Sequence, residues 1–223
     1  MKPVPKERYF TAVGIDRQAV AISHGLPTFR QKPRIHFSFR NSALLVLDMQ
    51  EYFLQPASHA YIPSAEAILP GIQALIQAYH GQDLPIFFTR HLNTPTDSGM
   101  MGRWWQDLIQ ADNPRSEITS RLDISKGMVV QKSQYDAFYR TSLEEHLQKT
   151  HVSQVVISGV MTHLCCETTA RSAFTRGFEV FFLIDGTATY NAEFHRASLV
   201  NLAHGFAVLT SIKDILAEVN NGN

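Results

Sequence analysis

Short apolar runs rich in β-forming residues recur along this chain, and stretches with helical periodicity separate most of them. The runs fall at residues 43–47, 85–89, 128–131, 154–158, 179–184 and 206–210. Strands that are continuously apolar, rather than alternating, are buried on both faces, and the chain must cross over through helices to cover those faces. The pattern predicts an α/β fold: a three-layer α/β/α sandwich around a six-stranded parallel sheet. The clearest intervening helix carries Ala67, Ile68, Ile72, Leu75, Ile76 and Tyr79, an apolar stripe at three- and four-residue spacing. Further helices are expected at 142–149, 165–176, 191–204 and 211–219, with Gly81 and Gly177 where helices should stop.

Two stretches break this rhythm. Residues 1–41 contain Pro3, Pro5, Pro27 and Pro33 with basic Arg30, Lys32, Arg34 and Arg40, and read as an irregular N-terminal arm over a domain spanning 42–223. Residues 92–126 hold Pro95, Gly99, Gly102, Pro114 and the pair Trp104–Trp105 between two strands. A connection that long, with little periodicity, suits a lid or a wall over a site.

Composition narrows the function classes. The chain has 223 residues, 44% hydrophobic, with 20 basic against 20 acidic residues. That balance offers no electrostatic footprint for nucleic acid or an anionic membrane, so neither is expected as a partner. No apolar run approaches the roughly 20 residues of a membrane span. Cys165 and Cys166 are adjacent and cannot staple distant segments, so a reducing, cytoplasmic setting is expected.

Ligands of open α/β sheets bind beyond the carboxyl ends of the strands. Three reactive side chains fall there. Asp48 ends the first run, Lys132 ends the third, and Cys165 follows the fourth through Gly159-Val160-Met161-Thr162-His163-Leu164. A helix N-terminus and a nearby ammonium both favour a thiolate, so the thiol pKa is expected to be lowered, with Asp48 as proton acceptor. Singly, each residue has an ordinary structural explanation. Together at one sheet edge they make a nucleophile, a base and a cation.

Three motifs carry a resemblance to the isochorismatase-like (cysteine) hydrolase superfamily. They are Asp48-Met49-Gln50 followed by Tyr52-Phe53, then Lys132-Ser133-Gln134-Tyr135-Asp136-Ala137-Phe138, and the run Gly159 to Arg171 containing Thr162-His163-Leu164-Cys165-Cys166-Glu167-Thr168-Thr169. Together they cover residues 43–212. The resemblance implies that Asp48, Lys132 and Cys165 form a catalytic triad, that the Val160–Met161 peptide is cis, and that the Met161 and Cys165 amides form an oxyanion hole. Cys166 falls where the family usually has Val and is expected to be inert. The family also implies a small-molecule substrate and a homodimer or homotetramer. No Asp-x-His motif occurs, so no metal and no cofactor are expected, and nicotinamide is disfavoured as substrate.

The expected reaction is hydrolysis of an amide, ureide or imide C–N bond through a thioester. Two alternatives stand beside it. The arm, the stretch Arg140-Thr141-Ser142-Leu143 and the stretch Phe194-His195-Arg196-Ala197-Ser198-Leu199 resemble the isochorismatases, which hydrolyse a vinyl ether with the Asp and carry Gly in place of Cys165. A non-catalytic binding or scaffold domain is the other. Substrate contacts are expected from Gln50, Phe53, Arg90, His91, Trp104, Tyr135 and Leu164. His163 is taken as a loop residue rather than the partner of Cys165.

Overall fold

A computed structural model describes residues 4–27, 35–105 and 107–220. Six strands form one sheet: β1 (Ser42–Leu47), β2 (Ile86–His91), β3 (Met128–Lys132), β4 (Gln154–Val160), β5 (Glu179–Ala188) and β6 (Val208–Thr210). Their order is β3-β2-β1-β4-β5-β6, and every neighbouring pair is parallel. From β1 the chain first builds outward to β2 and β3, then returns to the other side of β1 for β4, β5 and β6. The winding therefore reverses between β1 and β4, where an open sheet leaves a crevice beyond its strand ends.

The period-two alternation of β1 divides its side chains between two cores. Leu44 and Val46 join a cluster with Ile68, Ile72, Leu75 and Tyr79 of α3 (Ala65–Gly81) and Ile212 and Ile215 of α8 (Ile212–Asn220). Ala43, Leu45 and Leu47 face the opposite cluster. That cluster holds Leu143 and Leu147 of α5 (Leu143–Lys149), Ala170 and Ala173 of α6 (Glu167–Thr175), and Leu199 and Leu202 of α7 (Ala192–Gly205). Burial on both faces is the reason the strand is apolar throughout. No helix among the described residues is long and apolar enough to cross a membrane.

Two expectations need correcting. The arm is not irregular: it contains α1 (Ile15–His24), with Ala19 buried and Ile22 packed against both clusters. Its stripe of Ile15, Ala19 and Ile22 is short, and the flanking prolines obscured it. Phe10, also in the arm, is completely buried. Arg30, Lys32, Pro33, Arg34 and Pro3 lie outside the described residues. The second correction concerns β5, which runs four residues beyond 184. Asp185 and Gly186 resemble a break, but the strand absorbs them in a register shift between Ile157 and Gly159, while Asp185 accepts from the Ile212 amide at the start of α8.

The 92–126 connection contains α4 (Met101–Trp104), preceded by α2 (Glu51–Leu54) in the β1–α3 connection, and 3₁₀ turns at Pro114–Ser116 and Ile124–Lys126. An antiparallel bridge between Gln50 and Ile118 folds it back over the carboxyl end of β1.

Candidate active site

Asp48 directly follows β1 and has a positive φ of 49°, a conformation that costs a non-glycine residue energy and concentrates at functional sites. It is completely buried. The Thr89 hydroxyl of β2 donates to Asp48 Oδ1 at 2.6 Å and accepts from the Asp48 amide at 3.0 Å. The other carboxylate oxygen lies 2.7 Å from Lys132 Nζ.

Lys132 ends edge strand β3 and pairs in register with His91 of β2. Strands are spaced by about 4.8 Å, so a lysine stem is long enough to pass one strand and reach Asp48 beside β1. Its ammonium also lies 2.9 Å from the Gln134 carbonyl, 3.2 Å from His91 Nδ1 and 3.4 Å from Cys165 Sγ. Lysine, carboxylate and thiol are all buried.

Cys165 sits in a single π-helical turn, Thr162–Cys166, which runs directly into α6. Such turns are rare and frequent at functional sites. The turn starts after Met161, and the Val160–Met161 peptide is cis. On the strand before it, Gly159 has φ 106°, and a Cβ there would overlap the Leu47 backbone. Glycine lets β4 approach β1 where Asp48 and the cysteine turn emerge. Beneath the turn, the Thr162 hydroxyl donates to His195 Nδ1 at 3.0 Å, and His195 Nε2 donates to the Ile184 carbonyl at 3.1 Å. A histidine ring carrying its proton on Nε2 satisfies both contacts.

The charges are set by burial and by each other. Burial opposes ionisation of Asp48, but the Lys132 ammonium beside it, together with His91 and the Cys165 hydrogen bond, holds the carboxyl below the usual carboxylate range. For Lys132, burial again opposes charge, and Asp48 raises the pKa above the ordinary lysine value. Burial, followed by the Asp48 charge, pushes the Cys165 thiol up to about 12. The expected lowering of the thiol pKa is thus reversed: the pull of Lys132 is smaller than desolvation plus the carboxylate. At rest the site holds an ion pair and a neutral thiol. The neighbouring Cys166 thiol is fully buried in the cluster with Ala170 and Ala173 and is pushed well above the ordinary range.

A cavity of about 270 Å³ opens over Cys165. Phe53, His91, Trp104, Tyr135 and Leu164 line it, together with Met161. Gln50 and Arg90 do not. Gln50 is buried as a clip, its Nε2 donating to the His91 and Ser116 carbonyls and its Oε1 accepting from the His91 amide. The Arg90 guanidinium turns away to Ser116 and Glu117. A strand alternates sides, so Arg90 and His91 cannot both face the crevice. His163 hydrogen-bonds Thr189 at 2.6 Å and packs on Phe194.

Sequence reasoning missed several wall residues. Tyr52, His59 and Asp107 meet at one side of the cavity, with the Tyr52 hydroxyl donating to Asp107 at 3.2 Å. Tyr190 comes from the loop after β5. Trp105, on the segment expected to form a lid or wall, does line the cavity and donates to the Tyr135 hydroxyl at 2.7 Å. Thr89 was also missed. Its only signal is a hydroxyl that ends the apolar part of β2, one residue before Arg90. As for cations, donor atoms of Asp48, His91 and Cys165 lie within 4.8 Å of one another. The Lys132 ammonium contacts all three, so this donor set already surrounds a positive charge.

A family model described as "Isochorismatase domain" matches residues 42–214. The chain is 44% identical over 173 residues to "Nicotinamidase 3" of Arabidopsis thaliana, covering 75% of this chain and 83% of that protein. It is 29% identical over 191 residues to "Enterobactin synthase component B" of Escherichia coli strain K12, covering 83% of this chain and 66% of that protein. Among solved structures, a cysteine hydrolase from Pseudomonas syringae pv. phaseolicola 1448A superposes with a TM-score of 0.81 at 26% identity, covering 87% of this chain and all of that one.

Proposed function

Because the chain belongs to the isochorismatase family, matched along residues 42–214, we propose that it hydrolyses a C–N bond of a small molecule through a thioester on Cys165. The observation that carries this is the Cys165 thiol, held 3.4 Å from the Lys132 ammonium on the wall of an apolar cavity, with Asp48 as the adjacent base.

In this reading the resting thiol keeps its proton until substrate arrives. As Sγ attacks the carbonyl carbon, its proton passes to Asp48, and the carbonyl oxygen takes up negative charge near the Met161 and Cys165 amides. The C–N bond then breaks. Asp48 returns the proton to the leaving nitrogen, and ammonia or an amine departs. Water loses a proton to Asp48 as it attacks the thioester, the carboxylic acid leaves, and the sulfur is reprotonated. Lys132 stays charged throughout and offsets the charge on Asp48 and on the sulfur.

The substrate class we propose is a flat carboxamide whose ring lies between Phe53, Trp104 and Tyr135. An aromatic cavity suits such a ring, and a relative 44% identical is named a nicotinamidase. On that likeness nicotinamide joins the candidates, although this chain has no Asp-x-His motif.

The test is ammonia release from a panel of aromatic and aliphatic amides and ureides, run beside isochorismate, on native protein, Cys165→Ala and Asp48→Asn. Loss of amide turnover in both variants supports the reading. Turnover of isochorismate that survives in Cys165→Ala and is lost in Asp48→Asn points instead to vinyl ether hydrolysis, and amide turnover that survives in Cys165→Ala overturns the thioester. No turnover of any compound by native protein favours the binding-domain alternative.

A further inference from the structure

The His91 ring directly contacts the ammonium of the site. Its Nδ1 lies 3.2 Å from Lys132 Nζ, and an ammonium only donates, so Nδ1 is the acceptor. The ring proton is then on Nε2, which donates to Asn93 Oδ1 at 2.9 Å. Asn93 is itself oriented, because its Nδ2 donates to the Ser133 carbonyl at 2.8 Å, leaving only its oxygen to face the ring. On the backbone side, the Gln50 amide grips both the N–H and the carbonyl of His91. Every polar group of this histidine is committed, and the ring has one tautomer and one orientation.

We propose that His91 is a positioning residue for Lys132, holding the ammonium between Asp48 and the Cys165 sulfur, rather than a substrate contact. The inference rests on the reading of Cys165 as the nucleophile. Three N–H groups on Nζ serve four acceptors: Asp48 Oδ2 at 2.7 Å, the Gln134 carbonyl at 2.9 Å, His91 Nδ1 at 3.2 Å and Cys165 Sγ at 3.4 Å. Alone with a carboxylate, an ammonium settles on it. A second neutral acceptor holds the ammonium off centre, within reach of the sulfur. The same acceptor matters when Asp48 takes the thiol proton, since the ammonium then loses its counter-charge and depends on neutral partners. Burial and the Lys132 charge push the His91 pKa down to about 4, so the ring adds no opposing charge near neutrality. The ionisable groups that face it are Lys132, Asp48, Asp97 and Cys165. Although His91 borders the cavity, both ring nitrogens are taken, so it has no hydrogen bond to offer a substrate.

The experiment follows iodoacetamide alkylation of Cys165 across pH, which needs no substrate, in native protein, His91→Leu and His91→Asn. Asparagine can place an oxygen where Nδ1 stands, and leucine cannot. In His91→Leu the ammonium is expected to withdraw to Asp48 and Gln134. The labelling profile then moves to higher pH, with labelling at pH 8 about tenfold slower, while His91→Asn recovers most of the rate. An unmoved or lower profile in His91→Leu, or an asparagine variant that behaves like leucine, overturns the proposal. If circular dichroism shows His91→Leu unfolded, Asn93→Ala replaces it. Freeing the tautomer there should slow labelling in the same direction, and an unchanged rate overturns the proposal equally. A native protein inactive on every amide, with the His91 effect on labelling intact, rejects the proposed function and leaves this inference standing.

Discussion

A single hydroxyl, that of Thr89, both donates to the Asp48 carboxylate at 2.6 Å and accepts from the Asp48 amide at 3.0 Å. It links β2 to a residue held at positive φ beyond β1. Thr89→Val keeps the shape and removes both bonds, leaving a buried amide and a carboxylate oxygen without their partner. Chemical denaturation should show a loss of about 1–3 kcal/mol, and turnover should fall with it. Thr89→Ser should retain most of both.

Stability should fall on mild acidification. His91 and His195 are buried and His163 is half-buried, and the loss of solvent pushes their pKa values down to about 4, about 3 and about 4. As pH drops from 6.5, the unfolded chain binds protons at these histidines that the native chain refuses, so native stability decreases until the lowered values are reached. Asp185 works in the opposite sense. Burial raises it to about 6, so below that pH the native chain keeps a proton that the unfolded chain releases. Three groups outweigh one, and the urea midpoint at pH 5 should lie below that at pH 7 by a few kcal/mol of stability. Asp185→Asn should make the difference larger. The Asp48–Lys132 pair does not contribute here, because a lowered carboxyl loses its stabilisation only as pH falls below its ordinary value of 3.8.

The cavity wall can be loosened without touching Asp48, Lys132 or Cys165. Tyr135→Phe removes the acceptor for the Trp105 indole, which lies 2.7 Å away. Loss of one hydrogen bond of ordinary strength should raise KM about two- to tenfold while kcat stays close to native. Equal losses in kcat and kcat/KM would show instead that the ring acts in the reaction itself.

Gly159→Ala tests the close approach of β4 to β1. With φ at 106° and the Leu47 backbone where a Cβ would go, the strands must separate beside Asp48. A destabilisation of about 2 kcal/mol or more is expected, with loss of activity. A stable, active alanine variant would mean that the crevice tolerates a wider gap.

Much of this architecture was legible in the sequence because strands buried on both faces must be apolar throughout. Runs such as 43–47 and 154–158 therefore marked β1 and β4, and the residues after them could be placed at strand ends. Asp48, Lys132 and Cys165 could be nominated from chain position alone. Helix α1 was less legible, since a stripe of three apolar residues between prolines is a weak signal.

Strand order, side-chain direction and charge belonged to the tertiary structure. The sequence does not say that β4 lies beside β1, so the switch point that brings the cysteine turn to Asp48 appears only when the sheet is assembled. Nor does a strand end distinguish His91, which reaches the crevice, from Arg90, which alternation turns toward Glu117. The thiol shows the limit most clearly. By itself the sequence determined that a cysteine would stand at this sheet edge with an acid and a lysine. Folding decided that all three would be buried together, and because desolvation outweighs one ammonium, Cys165 rests as a thiol rather than a thiolate.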